Sequence, residues 1–169
     1  MKRQIWSIIC GMSLIIGAAS CTSNDCPLNN TVSLVCGFYS SGDGSAISIA
    51  DTLTVTLRDS IILNRSQKTG VVNLPMSYSG ETDTLVFIYS PAEGGKSIAD
   101  TILVSKTNQA HFVSLECGTS VFHTITDVSH TLHMTDKDHR YAIDSIVVSN
   151  PNVNFDGQEN LKIYYTVVQ

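Results

Sequence analysis

The chain contains 169 residues, of which 43% are hydrophobic and 15% are charged, and it carries a formal net charge of −5. This length is typical of a single domain, and the high apolar content excludes a disordered chain. The acidic balance argues against nucleic-acid binding, which requires a basic surface. After the N-terminal segment, the sequence contains no apolar run of about 20 residues, which is the length that a membrane-spanning helix needs.

Residues 1–20 have the layout of a secretory signal peptide. Lys2 and Arg3 form a positive n-region, residues 5–16 form a short apolar stretch, and the small residues 18–20 directly precede Cys21. This arrangement resembles the lipobox of bacterial lipoproteins, in which the chain is cut before the cysteine, whose thiol and new amine are then acylated. We therefore expect residues 1–20 to be a lipoprotein signal peptide and Cys21 to carry fatty acids such as palmitate. An ordinary secretory signal is the alternative.

Cleavage before Cys21 changes the composition of the working protein. The mature chain, residues 21–169, loses Lys2 and Arg3, so eight basic residues face fifteen acidic ones and the net charge is −7. It also loses Trp6 and Cys10, which leaves no tryptophan and four cysteines. Residues 21–30 are mostly polar and turn-forming, and they indicate a short lipidated tether.

Residues 31–169 have the pattern of one β-rich domain. Polar and apolar residues alternate over 32–39 and 52–58, which is typical of half-buried strands. Further strand-like runs follow at 60–64, 83–90, 100–106, 110–116, 119–128, 129–135, 140–148 and 160–168. Eight or nine short strands separated by turn-forming clusters predict an antiparallel, immunoglobulin-like β-sandwich. A β-barrel is the alternative.

A tripeptide of Asp, then Ser or Thr, then Ile or Leu occurs five times, each time at the start of a predicted strand. It resembles the O-glycosylation sequon of Bacteroidota, which modify exported proteins at the Ser or Thr. The possible acceptors are Thr52, Ser60, Thr84, Thr101 and Ser145. In the alternative interpretation, Asp simply ends a turn and a polar–apolar alternation begins.

Three cysteines remain besides Cys21, and an exported protein enters a compartment where disulfides form. Cys36 lies on the apolar face of the first predicted strand, whereas Cys26 and Cys117 lie at strand ends. We therefore expect a Cys26–Cys117 disulfide, which closes a loop of about 90 residues and contributes about 4 kcal/mol in the chain-entropy model. A Cys36–Cys117 disulfide is the alternative.

Two short motifs resemble ligand-binding loops but lack required residues. Residues 90–97 end like a phosphate-binding loop, yet Ser90 replaces the first glycine. Residues Asn152, Asn154 and Asp156 with Gly157 resemble the start of a calcium loop, yet Ile163 stands where a bidentate Glu is needed. We interpret both segments as turns, and we expect no metal and no cofactor.

The sequence contains no nucleophile elbow and no catalytic serine or cysteine signature. The prediction is therefore a protein that is not an enzyme. A catalytic cleft formed by His130, Asp136 and His139 is the enzyme alternative. Glycan binding usually uses aromatic side chains, and the candidates here are Tyr39, Tyr78, Tyr89, Tyr141, Tyr164 and Tyr165.

These features together resemble a family of small Bacteroidota lipoproteins with a domain of unknown function. The resemblance rests on Cys21, Cys26-Pro27, Gly37-Phe38-Tyr39, Leu115-Glu116-Cys117-Gly118, Asp144-Ser145-Ile146, Asn150-Pro151-Asn152-Val153 and residues 159–165. Cys36 departs from the pattern of the family. The resemblance implies location and length, and it implies no activity.

The sequence thus predicts a non-catalytic lipoprotein, anchored in the outer membrane through its N-terminal lipid, that binds a partner protein of the cell envelope. A carbohydrate- or small-ligand-binding surface module is the alternative. Only Asp25 adds an acidic residue directly after the anchor cysteine, so both the periplasmic and the surface-facing side of the membrane remain open. We expect no nucleic acid among its partners.

Overall fold

The computed structural model describes residues 32–91, 94–115, 117–131 and 140–167. These residues form ten strands and no helix. The strands are β1 (Leu34–Ser40), β2 (Thr52–Leu57), β3 (Ser60–Ser66), β4 (Val71–Leu74), β5 (Thr82–Ser90), β6 (Ile98–Ser114), β7 (Gly118–His130), β8 (Tyr141–Val148), β9 (Asn152–Val153) and β10 (Leu161–Val167).

The strands form two sheets that pack face to face. One sheet has four strands in the order β4-β1-β10-β8, and the other has six in the order β3-β2-β5-β6-β7-β9. The all-β sandwich predicted from the alternation of residues is confirmed. The barrel alternative is wrong, because the strands form two separate sheets and not one closed sheet.

The core lies between the two sheets and follows directly from the period-two pattern. On β5, Leu85, Phe87 and Tyr89 point inward and are buried, whereas the two residues between them are half-buried. Phe38 of β1 meets Phe87 of the opposite sheet edge to face, with ring centroids 6.5 Å apart. It also meets Tyr165 of the neighbouring strand β10 edge to face, with centroids 5.6 Å apart. Such aromatic pairs add specific geometry to a core that burial of apolar area already favours.

Three features differ from the expected antiparallel sandwich of eight or nine strands. The strand pair β1–β10 is parallel, while the other pairs are antiparallel. A parallel pair needs a long connection, and here nearly the whole domain separates the two strands. The short strands β4 and β9 were not predicted, and each of the long strands β6 and β7 was predicted as two shorter runs.

The recurring Asp-Ser/Thr tripeptide does not always begin a strand. It lies at the start of β2, β3 and β5, but residues 100–102 and 144–146 lie inside β6 and β8. Between β2 and β3 the turn residues Arg58 and Asp59 have φ values of 48° and 66°. Two consecutive positive φ values are typical of the tight hairpin turns whose twist matches that of the flanking strands.

The sandwich has two distinct ends. At the first end, where β1 begins, Val35 N–H donates to Asn160 Oδ1 over 3.0 Å, and Asn160 Nδ2 donates to the carbonyl oxygens of Asn150 and Asn152. Asn152 of β9 is paired with Thr124 of β7. We call this end the entry end. The opposite end, where β1 and β10 finish and β8 begins, is the far end.

Candidate functional site

The outer face of the four-stranded sheet presents a mixed apolar and polar surface to solvent. Strand register places Val147, Lys162, Gly37 and Val71 in one row across the sheet. The neighbouring row contains Ser145, Tyr164 and Tyr39. We call these seven residues, together with Glu159, the tyrosine face.

Apolar side chains occupy both edges of the tyrosine face, and an aromatic pair occupies its middle. Val71 and Val147 are 59% and 48% exposed, respectively. The rings of Tyr39 and Tyr164 are half-buried, with centroids 5.6 Å apart and planes tilted by 37°. A partly exposed aromatic pair beside apolar and charged groups is typical of an interaction surface.

Glu159 organises the charged part of the tyrosine face. Tyr39 donates a hydrogen bond of 2.8 Å to Glu159 Oε2, and this bond to the carboxylate raises the pKa of Tyr39. Lys162 lies 4.0 Å from the same carboxylate and 5.3 Å from the centre of the Tyr39 ring. A side chain at Gly37 would collide with Glu159, since an added Cβ would lie 1.8 Å from Glu159 Oε2. Glycine at this position is therefore required for the arrangement.

A buried polar cluster closes the core at the entry end. Lys106 of β6, 2% exposed, points inward and donates to the carbonyl oxygens of Ser77 and Gly80, both over 2.7 Å. Its ammonium also lies 3.6 Å from buried Asp83 of β5, which accepts hydrogen bonds from the backbone N–H and hydroxyl of Ser77. Desolvation lowers the pKa of Lys106, and the charge of Asp83 opposes that shift. The cluster ties the loop between β4 and β5 to the six-stranded sheet.

His123 of β7 extends this cluster through Asn108. Both Lys106 Nζ and His123 Nδ1 approach Asn108 Oδ1, at 2.8 and 2.7 Å. Because an amide oxygen only accepts, His123 Nδ1 carries the proton in this contact. Burial lowers the pKa of His123 to about 4, and the nearby charge of Lys106 adds to the shift. The group is thus a neutral structural histidine at physiological pH.

A second concave region lies at the far end. A cavity of about 450 Å³ is lined by hydroxyl-bearing residues, among them Ser41, Ser45, Ser48, Tyr141 and Thr166. Several of these hydroxyls already have protein partners. Tyr141 accepts a 2.8 Å hydrogen bond from the N–H of Ala50, and the hydroxyls of Ser41 and Thr166 are 3.1 Å apart. The wall of the cavity is therefore polar, and several of its hydroxyl groups are already hydrogen-bonded to other protein groups.

The cysteines separate into a buried thiol and a bonded one. Cys36 is free and fully buried, and burial raises the pKa of its thiol far above the ordinary range, so it is an unreactive core residue. This excludes the alternative Cys36–Cys117 disulfide. Cys117 is disulfide-bonded. Cys21 and Cys26 lie outside the described residues, so lipidation and the Cys26–Cys117 pairing remain predictions.

The five predicted glycan acceptors differ in accessibility. Ser60 and Thr84 are exposed, and Thr101 and Ser145 are half-buried. Thr52 is 4% exposed and its hydroxyl donates to the carbonyl oxygen of Ser90 over 2.9 Å. A glycan on Thr52 would therefore require modification before folding, whereas Ser60 and Thr84 are accessible in the folded chain.

The structure gives a backbone role to the residues that resemble a calcium loop. Asn154 Oδ1 accepts from the N–H of Asp156 over 2.7 Å, and Asp156 Oδ1 accepts from the N–H of Gln158 over 2.9 Å. Gly157 has a φ of +64°, a left-handed conformation that glycine adopts without strain. These side chains form successive turns, in agreement with the predicted turn. The same segment also contains the unpredicted strand β9.

The histidine-based cleft of the enzyme alternative falls mostly outside the described residues, since only His130 of its three members is described. Within the described part of the chain, no group of three or more His, Cys, Asp or Glu side chains is arranged to hold a metal ion. Of the candidate tyrosines, Tyr89, Tyr141 and Tyr165 are buried, Tyr78 is 73% exposed, and only Tyr39 and Tyr164 form a surface pair.

Sequence reasoning missed the buried cluster although a signal for it was present. Lys106 follows Ile102 and Val104 at the inward phase of the same strand, and Asp83 precedes Leu85 and Phe87 in the same way. Two opposite charges at inward-facing positions of neighbouring strands indicate a buried ion pair. For the tyrosine face no local signal existed, because Glu159 and Tyr39 are 120 residues apart.

The fold and its surfaces define a two-sheet β-sandwich with an exposed aromatic sheet face and a buried ionic cluster. In the described part of the chain, no helix is long and apolar enough to cross a membrane. The chain belongs to the family of unknown function DUF6452, whose family model matches residues 46–165. No curated protein and no solved structure matches the chain. The domain of unknown function implied by the resemblance is thus confirmed, and the lipoprotein part of the resemblance remains a prediction.

Proposed function

We propose that this protein is a non-catalytic lipoprotein of the outer membrane whose β-sandwich binds a partner protein of the cell envelope. The anchor in this proposal is the lipidated Cys21, supported by the signal-peptide layout of residues 1–20. The observation that carries partner binding is the tyrosine face, an uncovered sheet face with large apolar side chains at its edges.

The composition of the tyrosine face favours a protein partner. Val71 and Val147 supply apolar contact area on both sides of the Tyr39–Tyr164 pair. Protein interfaces are enriched in tyrosine and combine an apolar centre with polar groups that fix orientation. Here Glu159 and Lys162 supply those polar groups. Their ion pair is partly exposed, so its main contribution is to specificity.

Site-specific photocrosslinking in intact cells tests this proposal. A photoreactive amino acid at Val71 or Val147 should capture the same partner, whereas the same residue at exposed Lys96, in the loop before β6, should not. Tyr39→Ala/Tyr164→Ala should abolish the crosslink from Val71. Failure of both face positions to capture any protein, with the protein correctly localised, contradicts partner binding.

The anchor has a separate test. Labelling of cells with a fatty-acid probe should modify the wild-type protein, and Cys21→Ser should remove the label and leave an uncleaved precursor. Protease treatment of intact and lysed cells then reports the side of the membrane. Degradation in intact cells indicates the surface, and protection until lysis indicates the periplasmic side. An unlabelled wild-type protein would contradict lipidation.

Carbohydrate binding is the second candidate function, and the same tyrosine pair favours it. Sugar rings stack on exposed aromatic faces, and the neighbouring Glu159 and Lys162 offer hydrogen-bonding groups. The distinguishing measurement is a glycan screen of the purified domain followed by titration of Tyr164→Ala. Saturable glycan binding lost in that variant, combined with no protein crosslink, favours this function over the first.

O-glycosylation is part of the proposal for an exported protein of this kind. Ser60 and Thr84 are the favoured acceptors because their side chains are exposed. Intact-mass measurement of the native protein should show mass above that of the lipidated chain, and Ser60→Ala/Thr84→Ala should reduce it. A mass equal to the lipidated chain alone contradicts glycosylation.

A further inference from the structure

Strands β6 and β7 extend beyond the rest of the sandwich as a two-stranded arm. Strand β5 pairs with β6 only as far as Ser105, and β9 pairs with β7 only at His123 and Thr124. Residues 109–114 of β6 and 118–122 of β7 therefore pair only with each other. We call these residues, with Leu115 in the turn, the arm. Isolated two-stranded ribbons are marginally stable in water, so a surface that covers the arm would stabilise it.

The arm is apolar towards its tip and poor in charge. Leu115 is 91% exposed and Phe112 is 62% exposed, which makes them two of the most exposed large apolar side chains of the described residues. Between residues 107 and 126, Glu116 is the only Asp, Glu, Lys or Arg in the sequence. Nearer the base, His111 stacks on Phe122 with centroids 4.2 Å apart, and Phe155 packs edge-on against Phe122. The aromatic base supports the arm, while the tip residues have little protein cover.

The arm projects from the entry end, the end at which the tether joins the domain. The hydrogen bonds from Val35 to Asn160 and from Asn160 to the carbonyl oxygen of Asn152 connect the first strand to β9. Strand β9 in turn pairs with β7 at the base of the arm. The start of β1, which follows the tether in the sequence, and the base of the arm therefore lie at the same end of the sandwich.

The tether is long enough to reach past the tip of the arm. From Gln109 to Leu115 an extended strand spans about 20 Å. From Cys21 to Val32, the first described residue, an extended chain spans at most about 36–40 Å. Cys117, beside the arm tip, is disulfide-bonded, and if its partner is the predicted Cys26, only five residues separate the tip from Cys21. Five residues span at most about 17 Å.

From this geometry we infer that the tip of the arm, through Phe112 and Leu115, inserts into the interfacial region of the lipid bilayer that holds the anchor. This inference rests on the proposed lipid anchor at Cys21. Transfer of exposed apolar side chains from water to the boundary between headgroups and acyl chains lowers their free energy. Because residues 107–126 contain no Lys or Arg, apolar contact, and not attraction to anionic headgroups, drives insertion. The arm would then hold the sandwich upright on the membrane, with its far end pointing away.

Single-tryptophan fluorescence tests the inference, because the mature chain contains no tryptophan. Leu115→Trp places the only tryptophan at the arm tip, and Val167→Trp places it at the far end of the sandwich, where Val167 is 39% exposed. Both variants are used as full-length, lipidated mature protein in vesicles of phosphatidylethanolamine with a minor fraction of phosphatidylglycerol. Brominated acyl chains in the same vesicles quench tryptophans that reach the bilayer.

We expect the emission of Leu115→Trp to shift to shorter wavelength and to be quenched severalfold more strongly than that of Val167→Trp. Equal quenching of the two variants, in vesicles that retain the protein on flotation, would overturn the inference and leave the anchor intact. Loss of the protein from floating vesicles would instead contradict the anchor. A blue shift seen only in native outer-membrane vesicles would show that the tip contacts a protein, which also overturns the inference.

Discussion

Replacement of Lys106 by methionine tests the interpretation of the buried cluster most directly. Methionine keeps much of the length and volume of lysine but removes its charge and its three donors. Asp83 would then be buried at 1% exposure without its cation, and the carbonyl oxygens of Ser77 and Gly80 would lose their Lys106 donor. Breaking a buried ion pair by removing one partner costs about 3–5 kcal/mol.

We therefore expect Lys106→Met to lower the free energy of unfolding by about 4 kcal/mol. For a domain of this size, the dependence of that free energy on urea is about 2 kcal/mol per molar, so the midpoint should fall by about 2 M. The assay is urea unfolding of the mature chain with Cys21→Ser, followed by far-ultraviolet circular dichroism. Lys96→Met, at an exposed loop position, is the matched control and should change the free energy by less than about 0.5 kcal/mol.

A double variant separates the charge from the packing. Adding Asp83→Asn to Lys106→Met removes the unpaired buried charge but keeps an acceptor for the N–H of Ser77. It should recover about 1–2 kcal/mol of the loss, since the remaining polar groups are neutral. A midpoint that falls by less than about 0.5 M in the single variant, or a double variant that is less stable than the single one, would refute the ion-pair reasoning.

Three further predictions follow from the site geometry. The pKa of His123 is about 4 in the folded chain, below its ordinary value of 6.5. The free energy of unfolding should therefore keep its full His123 contribution above about pH 6.5 and fall by about 3 kcal/mol as the pH falls to about 4. In His123→Gln the urea midpoint should depend less on pH across this range, and an unchanged pH dependence would contradict the lowered pKa of His123. Gly37→Ala should displace the flexible, partly exposed carboxylate of Glu159 and break its hydrogen bond from Tyr39. The cost in thermal unfolding should be below about 1.5 kcal/mol, the usual net value of one hydrogen bond, and a loss above about 3 kcal/mol would show that Glu159 does not move away. Peptide mapping without reduction should recover a Cys26–Cys117 crosslinked peptide, while Cys36 should resist alkylation until the chain unfolds; rapid labelling of Cys36 in the native state would contradict its burial.

Local patterns in the sequence were sufficient for the fold class. The sequence of β2 alternates between threonine and an apolar residue, and the strand forms where this alternation predicts it. Period-two alternation is a property of neighbouring residues, so it needs no knowledge of the rest of the chain. The same reasoning failed for β4 and β9, which are four and two residues long and carry too few positions to show a period.

Long strands exposed a different limit of local reasoning. Residues 107–112 of β6 are all exposed, so the alternation that marks its first half disappears in the second. The pattern therefore suggested two strands where one continues into the arm. Polar and apolar residues alternate along a strand because one of its faces is buried. A strand that extends beyond the sandwich has no buried face, so its sequence shows no alternation.

The sequence by itself determined that this protein is an all-β domain, and it also supplied the predicted signal and anchor cysteine, because these depend on residues close together in the chain. The tertiary structure alone decided which distant residues meet. It paired β1 in parallel with β10, brought Tyr39 to Glu159, and buried Lys106 against Asp83. Sheet register fixes such contacts, and register depends on how all ten strands share one core, which no single segment of the sequence contains.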